Sequence, residues 1–571
     1  MSVLRLFNKA FAGKDIPFTQ VNKLAVKVGY LVHPECCTQE VVDFLRTQTI
    51  NYNATFYKSW NDVISKNRFE LFLDQIQHYI SNYTNEPFIP NTGADTPVFT
   101  DLKVILPITR EEANERCCNM LYSGIALSAD TIAMILPLVT NVDVALIKNK
   151  EALMHFCKLK DVIPTDAVEF VRYLIFLATE KTLLIKDKDT IDSIRISNIP
   201  VSDLIYRFGI EELSQVFFRF KPIFLAFKNK DTAPTINRLK RLAESYHKPM
   251  KMGFFEAILS DVSLIPQLPE RLKDCSNFKK VLLLQTILIR QKELNMRFFG
   301  IRNGKLWAKK EKTVNKNHYR ILYSIIYQSL IDSLKLKATS VKIPTGVNLT
   351  LPTSEKSFIG NYPLGTSFDL SNTDAIVGIN WKEEDGARDL DLSLIDTTGR
   401  KIGWNSRYTT DDKSIIYSGD MTSANPEATE LMYASKGFSP CIVKVNLYNG
   451  ATGSKFKLFL ATEKIVNMKS NYMVNPNSVR FTINCNMDSK EKSLAVLTEN
   501  KLILAQFRAG NKIVSGDSIT NKYTEYALET LDCYLNLKKV LLDSGFTINS
   551  GNEEIDLTNL SKDSLMSLLQ I

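Results

Sequence analysis

At about residue 338 the hydrophobic pattern of this 571-residue chain changes period. Upstream, apolar residues recur at i, i+3, i+4 and i+7, the spacing of one helix face. Downstream they come in short runs that alternate with polar residues, the spacing of strands with one wet face. One packed layer cannot serve both periods. The pattern therefore predicts an α+β multidomain chain, with a large all-α N-terminal region followed by a C-terminal antiparallel β-sandwich.

In the helical part, RFELFLDQIQHYI places Phe69, Phe72, Leu73, Ile76 and Ile80 on one stripe, which predicts a core-facing helix. Similar stripes run through TDAVEFVRYLIFLATEKTLLI, ELSQVFFRFKPIFLAF and FKKVLLLQTILIRQKEL. The loop-like NEPFIPNTGADTPVF separates a subdomain of residues 1–90 from a helical region of 91–335. Asn303-Gly304, flanked by apolar residues, predicts a β-hairpin near 297–310, because a type I′ turn needs φ > 0 at both central positions. Residues 338–546 read as the sandwich with a closing helix, and 547–571 as a flexible tail. The apolar face of MSVLRLFNKAFAGKDIPF is expected to dock onto the body of the protein, since the segment lacks the apolar region of a signal peptide. GIALSADTIAMILPLVTNVDVALI is broken by Asp130, Pro137 and Asp143, so it is expected as core helices and no membrane span is expected.

The chemistry concentrates in RDLDLSLID. Leu390, Leu392 and Leu394 define a buried face, and Asp389 and Asp391 fall together on the other, with Asp396 at the following turn. Strands disfavour Asp, and adjacent carboxylates repel. Two readings account for the gathering: a solvated acidic face, or a hard cation whose charge offsets the repulsion. Asp420 in YSGDMTSANPEATE, with Thr422, Glu427 and Glu430 behind it, supplies further oxygens if that loop folds against the strand.

Taken in order, VKIPTGVNLTLP, GINWKEEDGARDLDLSLID, IIYSGDMT and PCIVKVNLYNGA resemble segments of the tellurium-resistance TerD family, over residues 341–546. The resemblance implies a β-sandwich that binds calcium through acidic loops, and a place in bacterial or phage-associated stress and conflict systems. It implies metal-ligand roles for Asp389, Asp391 and Asp420, with Glu430 as a further candidate; Asp396, on the turn adjoining the acidic strand, is a candidate from its position. The loop after Gly419-Asp420 departs from the family, carrying TSANPEATE where relatives are rich in Gly, Asp and Glu. Fewer carboxylates imply weaker binding, or one site in place of two.

A second candidate surface is basic. Arg238, Lys240, Arg241, Lys248 and Lys251, interleaved with Phe217, Phe218, Phe220 and Tyr246, have the composition of a nucleic-acid site that tracks phosphates and stacks bases. A solvated helix face with its aromatics in the core has the same composition. The net charge of +9 is well below that of a nucleic-acid-binding tail.

Catalytic signatures are lacking: no GxSxG elbow, no phosphate-cradling GxxxxGK[ST] loop and no HExxH occurs. His33, His78, His155, His247 and His318 are scattered, and each reads as a capping or core residue. Nine cysteines with no CxxC spacing read as free thiols of a reducing compartment, so the chain is expected to be cytoplasmic. The expected function is non-enzymatic: a calcium-responsive sandwich joined to a helical scaffold that binds a protein partner. Two alternatives stay open. One is a structural or assembly protein, self-associating or attached to a phage particle. The other is a nucleic-acid-binding scaffold.

Overall fold

The structure is a computed structural model. It describes residues 2–48, 65–83, 102–124, 126–184, 186–246, 253–292, 296–300, 306–310, 316–370, 373–382, 388–422, 427–450, 452–464, 472–507, 526, 529–551, 553–558 and 560–569. The chain divides into two compact units, one of residues 1–108, 259–353 and 357–571, the other of 109–258 and 354–356. Among the described residues, no helix is long and apolar enough to cross a membrane.

The smaller unit is helical. The stripe in TDAVEFVRYLIFLATEKTLLI forms the helix Ala167–Thr179, started by Asp166, whose side chain accepts the Val168 and Glu169 N–H groups. Its Phe170, Val171, Leu174 and Ile175 pack with Phe217, Phe220, Ile223 and Phe224 in one core. Phe217 and Phe224 stack with ring centroids 5.2 Å apart.

In the larger unit the N-terminal region is not all-α. Lys9–Phe11 (β1), Tyr30–Val32 (β2) and Lys103–Ile108 (β3) form a parallel sheet in the order β1-β3-β2. Two of these strands have three residues, too few to show an alternation, and their partner lies far along the chain. The helix Arg68–Tyr83 forms where expected, but among the described residues the start of its stripe is not covered: Phe69 is 68% and Phe72 55% exposed. Periodicity specifies an apolar face and leaves open what covers it. Met296–Gly300 and Leu306–Lys310 pair antiparallel on either side of the expected Asn303-Gly304 turn, which itself lies outside the described residues. The N-terminal helix Ser2–Phe7 buries Val3, Leu4, Leu6 and Phe7, as its pattern predicts.

The strand-rich C-terminal region contains β4 (Val347–Asn348), β5 (Ser367–Asp369), β6 (Ala375–Lys382), β7 (Asp389–Asp396), β8 (Lys401–Gly403), β9 (Ile415–Tyr417), β10 (Glu427–Ala434), β11 (Cys441–Asn449), β12 (Ser454–Thr462), β13 (Val479–Met487), β14 (Glu491–Leu497) and β15 (Lys501–Phe507). They make two antiparallel sheets, β8-β7-β11-β14-β15-β5-β4 and β9-β10-β6-β12-β13. Leu390, Leu392, Leu394, Val443 and Val445 from the first pack with Val377, Ile379, Trp381, Met432 and Leu458 from the second in a single core. Burying that much apolar area is the dominant stabilisation of this region.

The segment expected as a flexible tail is built into the fold. Thr547–Ile548 and Ile555–Asp556 both pair in parallel with Ser340–Lys342. The helix Lys562–Leu569 buries Leu565, Met566, Leu568 and Leu569. Its polar, glycine-bearing approach gives no local sign of a partner more than 200 residues upstream.

Candidate metal centre

The acidic strand lies beside the edge of the seven-stranded sheet. β11 covers β7 along its whole length, whereas the short β8 covers only Ser393 to Ile395. Among the described strands, none therefore covers that edge of the first half of β7. Alternation sends Leu390, Leu392 and Leu394 into the core and leaves Asp389, Asp391 and Ser393 on the opposite face. A bulge in β11 opposite Asp389 and Leu390 locally alters the ladder, a device common beside functional sites. The preceding strand helps to set the register: Trp381, nearly fully buried, donates its indole N–H to the Arg388 carbonyl at 3.1 Å, one residue before Asp389.

The Ser418–Thr422 loop closes the open edge, and Glu430 is the strut that holds it. Glu430 is fully buried, and its two carboxylate oxygens accept the Leu392 N–H at 2.7 Å and the Met421 N–H at 3.0 Å. One side chain thereby ties strand β7 to the loop that carries Asp420. Gly419 supplies the corner with φ +116°, a conformation that residues with a Cβ rarely adopt.

The result brings three sequence-predicted residues together. Asp389, Asp391 and Asp420 each place a carboxylate oxygen within 4.8 Å of the others. Ligands about 2.3–2.6 Å from a Ca²⁺ ion lie no further than about 5 Å apart, so a single ion can span the three. Asp389 and Asp391 are buried and Asp420 is more accessible. Asp389 Oδ1, Asp391 Oδ2 and Asp420 Oδ1 are secluded from solvent and have no hydrogen-bond partner among the described residues. Buried carboxylate oxygens left this way are rare in folded proteins.

Electrostatics show the strain of the arrangement. Burial, together with repulsion from Asp420, pushes the Asp389 carboxyl up to about 6. Burial and repulsion from both neighbours push Asp391 up to about 7, with partial relief from Lys401. Burial also raises Asp420. The Lys401 ammonium does not form an ion pair with Asp391; it donates to Asn405 Oδ1, and burial lowers it to about 8. The site thus holds an excess of negative charge that the described cations leave unneutralised.

The remaining predicted residues are placed elsewhere. Asp396 is not part of the cluster. It sits at the other end of β7 and an odd number of residues from both Asp389 and Asp391, so alternation sends it to the opposite face. There it accepts the Thr398 and Arg400 N–H groups at 2.9 Å and pairs with the Arg400 guanidinium at 3.0 Å. Glu430 lies behind the cluster with both oxygens committed to backbone N–H groups. Arg238, Lys240 and Arg241 are exposed on the helix Ala233–Tyr246, with Lys240 3.9 Å from Glu244. Phe217 and Phe220, proposed to stack on bases, are core residues at 0% and 2% exposure. Lys248 and Lys251 lie outside the described residues. The sequence reading missed the strut role of Glu430 and the anchoring role of Trp381; their signal was a polar residue on the apolar face of β10 and a Trp next to the acidic strand.

Removing the strut has a predictable effect. Glu430→Ala leaves the Leu392 and Met421 N–H groups without acceptors and is expected to lower stability by about 3 kcal/mol. Glu430→Gln, which keeps an acceptor oxygen, is expected to lose less than half as much in parallel denaturant titrations.

Comparison with known proteins gives no match: no family model, no curated protein and no solved structure matches the chain. The class defined by the fold and site is an α+β protein with a buried acidic cluster beside a sheet edge.

Proposed function

We propose that the two C-terminal sheets form a TerD-like β-sandwich that holds a Ca²⁺ ion between Asp389, Asp391 and Asp420. The observation that carries the reading is three carboxylates within reach of one ion, with oxygens that are secluded from solvent and accept no hydrogen bond from the described residues. A solvated acidic face predicts the opposite: exposed carboxylates, hydrated and near their ordinary titration range. An oxygen-only donor set suits a hard cation such as calcium.

When bound, the ion supplies charge neutralisation. Its ligands come from β7 and from the Ser418–Thr422 loop, so binding orders the loop against the strand and fixes the surface that the loop presents. The function that follows is non-enzymatic: a calcium-responsive module, joined to a helical scaffold that docks a macromolecular partner, in a stress or conflict system of the kind that the TerD resemblance implies. The exposed Phe69 and Phe72 are the observation that favours a protein partner over nucleic acid, because Phe217 and Phe220, two of the aromatics near the basic helix, are buried.

Calorimetric titration of the full chain with CaCl₂ tests the reading. One ion is expected to bind, and Asp389→Asn or Asp420→Asn is expected to weaken it at least about tenfold. Absence of heat at millimolar calcium would sink the proposal.

A further inference from the structure

We propose that Asn446 is a fourth protein ligand of this site, contributing a neutral amide oxygen, and that it sets a preference for a large dication over a small one. The inference rests on reading the three aspartates as a cation site. Asn446 lies on β11 and faces Asp391 on one side and Glu491 on the other. Facing residues of an antiparallel ladder share a sheet face, with Cβ atoms about 4.5–5.5 Å apart. Asn446 therefore stands on the wall that carries Asp389 and Asp391.

The side chain is fully buried, and among the described residues neither its Oδ1 nor its Nδ2 has a hydrogen-bond partner. A buried amide with both ends unmet is costly in a sheet, where an apolar residue of similar size would be retained at no such cost. The neighbouring cations are already engaged. Lys444 pairs with Glu491 at 2.6 Å, and Lys401 donates to Asn405. What the amide oxygen lacks is a positive centre, and the direction in which its neighbours gather negative charge is toward Asp391. With the oxygen turned to an ion there, the Nδ2 group is free to donate to a carboxylate oxygen.

Coordination number supports the assignment. Three aspartates used singly fall short of the six to eight oxygens that Ca²⁺ takes, and amide carbonyls are ordinary members of its shell. Mg²⁺ is smaller, keeps several of its waters and makes less use of such a ligand. An added neutral oxygen on a rigid central strand therefore favours calcium without adding repulsion to a crowded site.

The test uses the full chain and its Asn446→Leu and Asn446→Asp variants, titrated with CaCl₂ and MgCl₂ by calorimetry, with thermal melts in EDTA. Asn446→Leu is expected to weaken calcium at least about tenfold and magnesium less than about threefold, with an EDTA melting midpoint equal to or above that of the parent. Asn446→Asp, nearly isosteric, is expected to tighten calcium, and it carries the test if the leucine variant does not fold. Calcium affinity within twofold of the parent in Asn446→Leu, or no tightening in Asn446→Asp, would overturn the assignment and leave a buried amide satisfied by internal water. Either result, with calcium still lost in Asp389→Asn, spares the triad. Absence of calcium binding by the parent chain removes both.

Discussion

Asp391→Asn is expected to stabilise the metal-free protein at pH 7.5 and, in the same molecule, to abolish its stabilisation by calcium. In the parent, Asp391 is 1% exposed beside two other carboxylates, and its carboxyl is pushed up to about 7. Above that pH the folded state must hold a charge that the unfolded chain solvates freely. A shift of this size corresponds to about 2–4 kcal/mol once the repulsion shared with Asp389 is counted only once. Asparagine removes the charge and keeps the shape, so the EDTA melting midpoint should rise. The parent gains about 2.7 kcal/mol from a ligand at a hundred times its dissociation constant. The variant should gain nothing, because the ion has lost its most buried carboxylate. A structural carboxylate with no metal role would give the first effect without the second. A variant that melts lower than the parent in EDTA would contradict the strain described for this site.

The second large effect is a reversal of pH dependence. Burial and neighbouring carboxylates push Asp389 up to about 6 and Asp391 up to about 7 in the folded protein, above their ordinary value near 4. A carboxylate with a raised folded-state pKa binds more protons folded than unfolded, so its contribution to stability is fully present below the unfolded pKa and is lost as pH rises through the folded one. The metal-free protein should therefore gain stability from these two groups as pH falls from about 7.5 toward 4.5. Calcium requires the same carboxylates deprotonated, so its stabilisation should be largest above pH 7 and fade below about 6. Melting midpoints at pH 5 and 7.5, in EDTA and in millimolar CaCl₂, read both slopes. The Asp389→Asn, Asp391→Asn double variant should flatten both. Calcium stabilisation that persists undiminished at pH 5 would argue against these ligands.

Much of the site was visible in the sequence. The alternation in DLDLSLID placed Asp389 and Asp391 on one face, because side-chain direction in a strand depends only on residue parity. The same rule, carried further, separates Asp396 from them; nearness in sequence suggested a ligand where parity forbids one. Asp420 was legible as an acidic residue on a glycine corner, though its convergence on β7 depends on a loop held by Glu430. The only local sign of that strut was a single Glu on the apolar face of a strand, which acquires meaning only from the backbone N–H groups brought to it.

Elsewhere the limits follow the same division. The sequence by itself determined where helices give way to strands, which faces are apolar and where carboxylates are dense, because periodicity and composition act over a few neighbouring residues. Only the tertiary structure decided the parallel β1-β3-β2 sheet, the pairing of residues 547–556 with Ser340–Lys342, and the placement of Asn446 opposite Asp391. Each of these depends on which distant strand lies alongside, a choice made by burial and hydrogen bonding over the whole unit and written in no short stretch of chain.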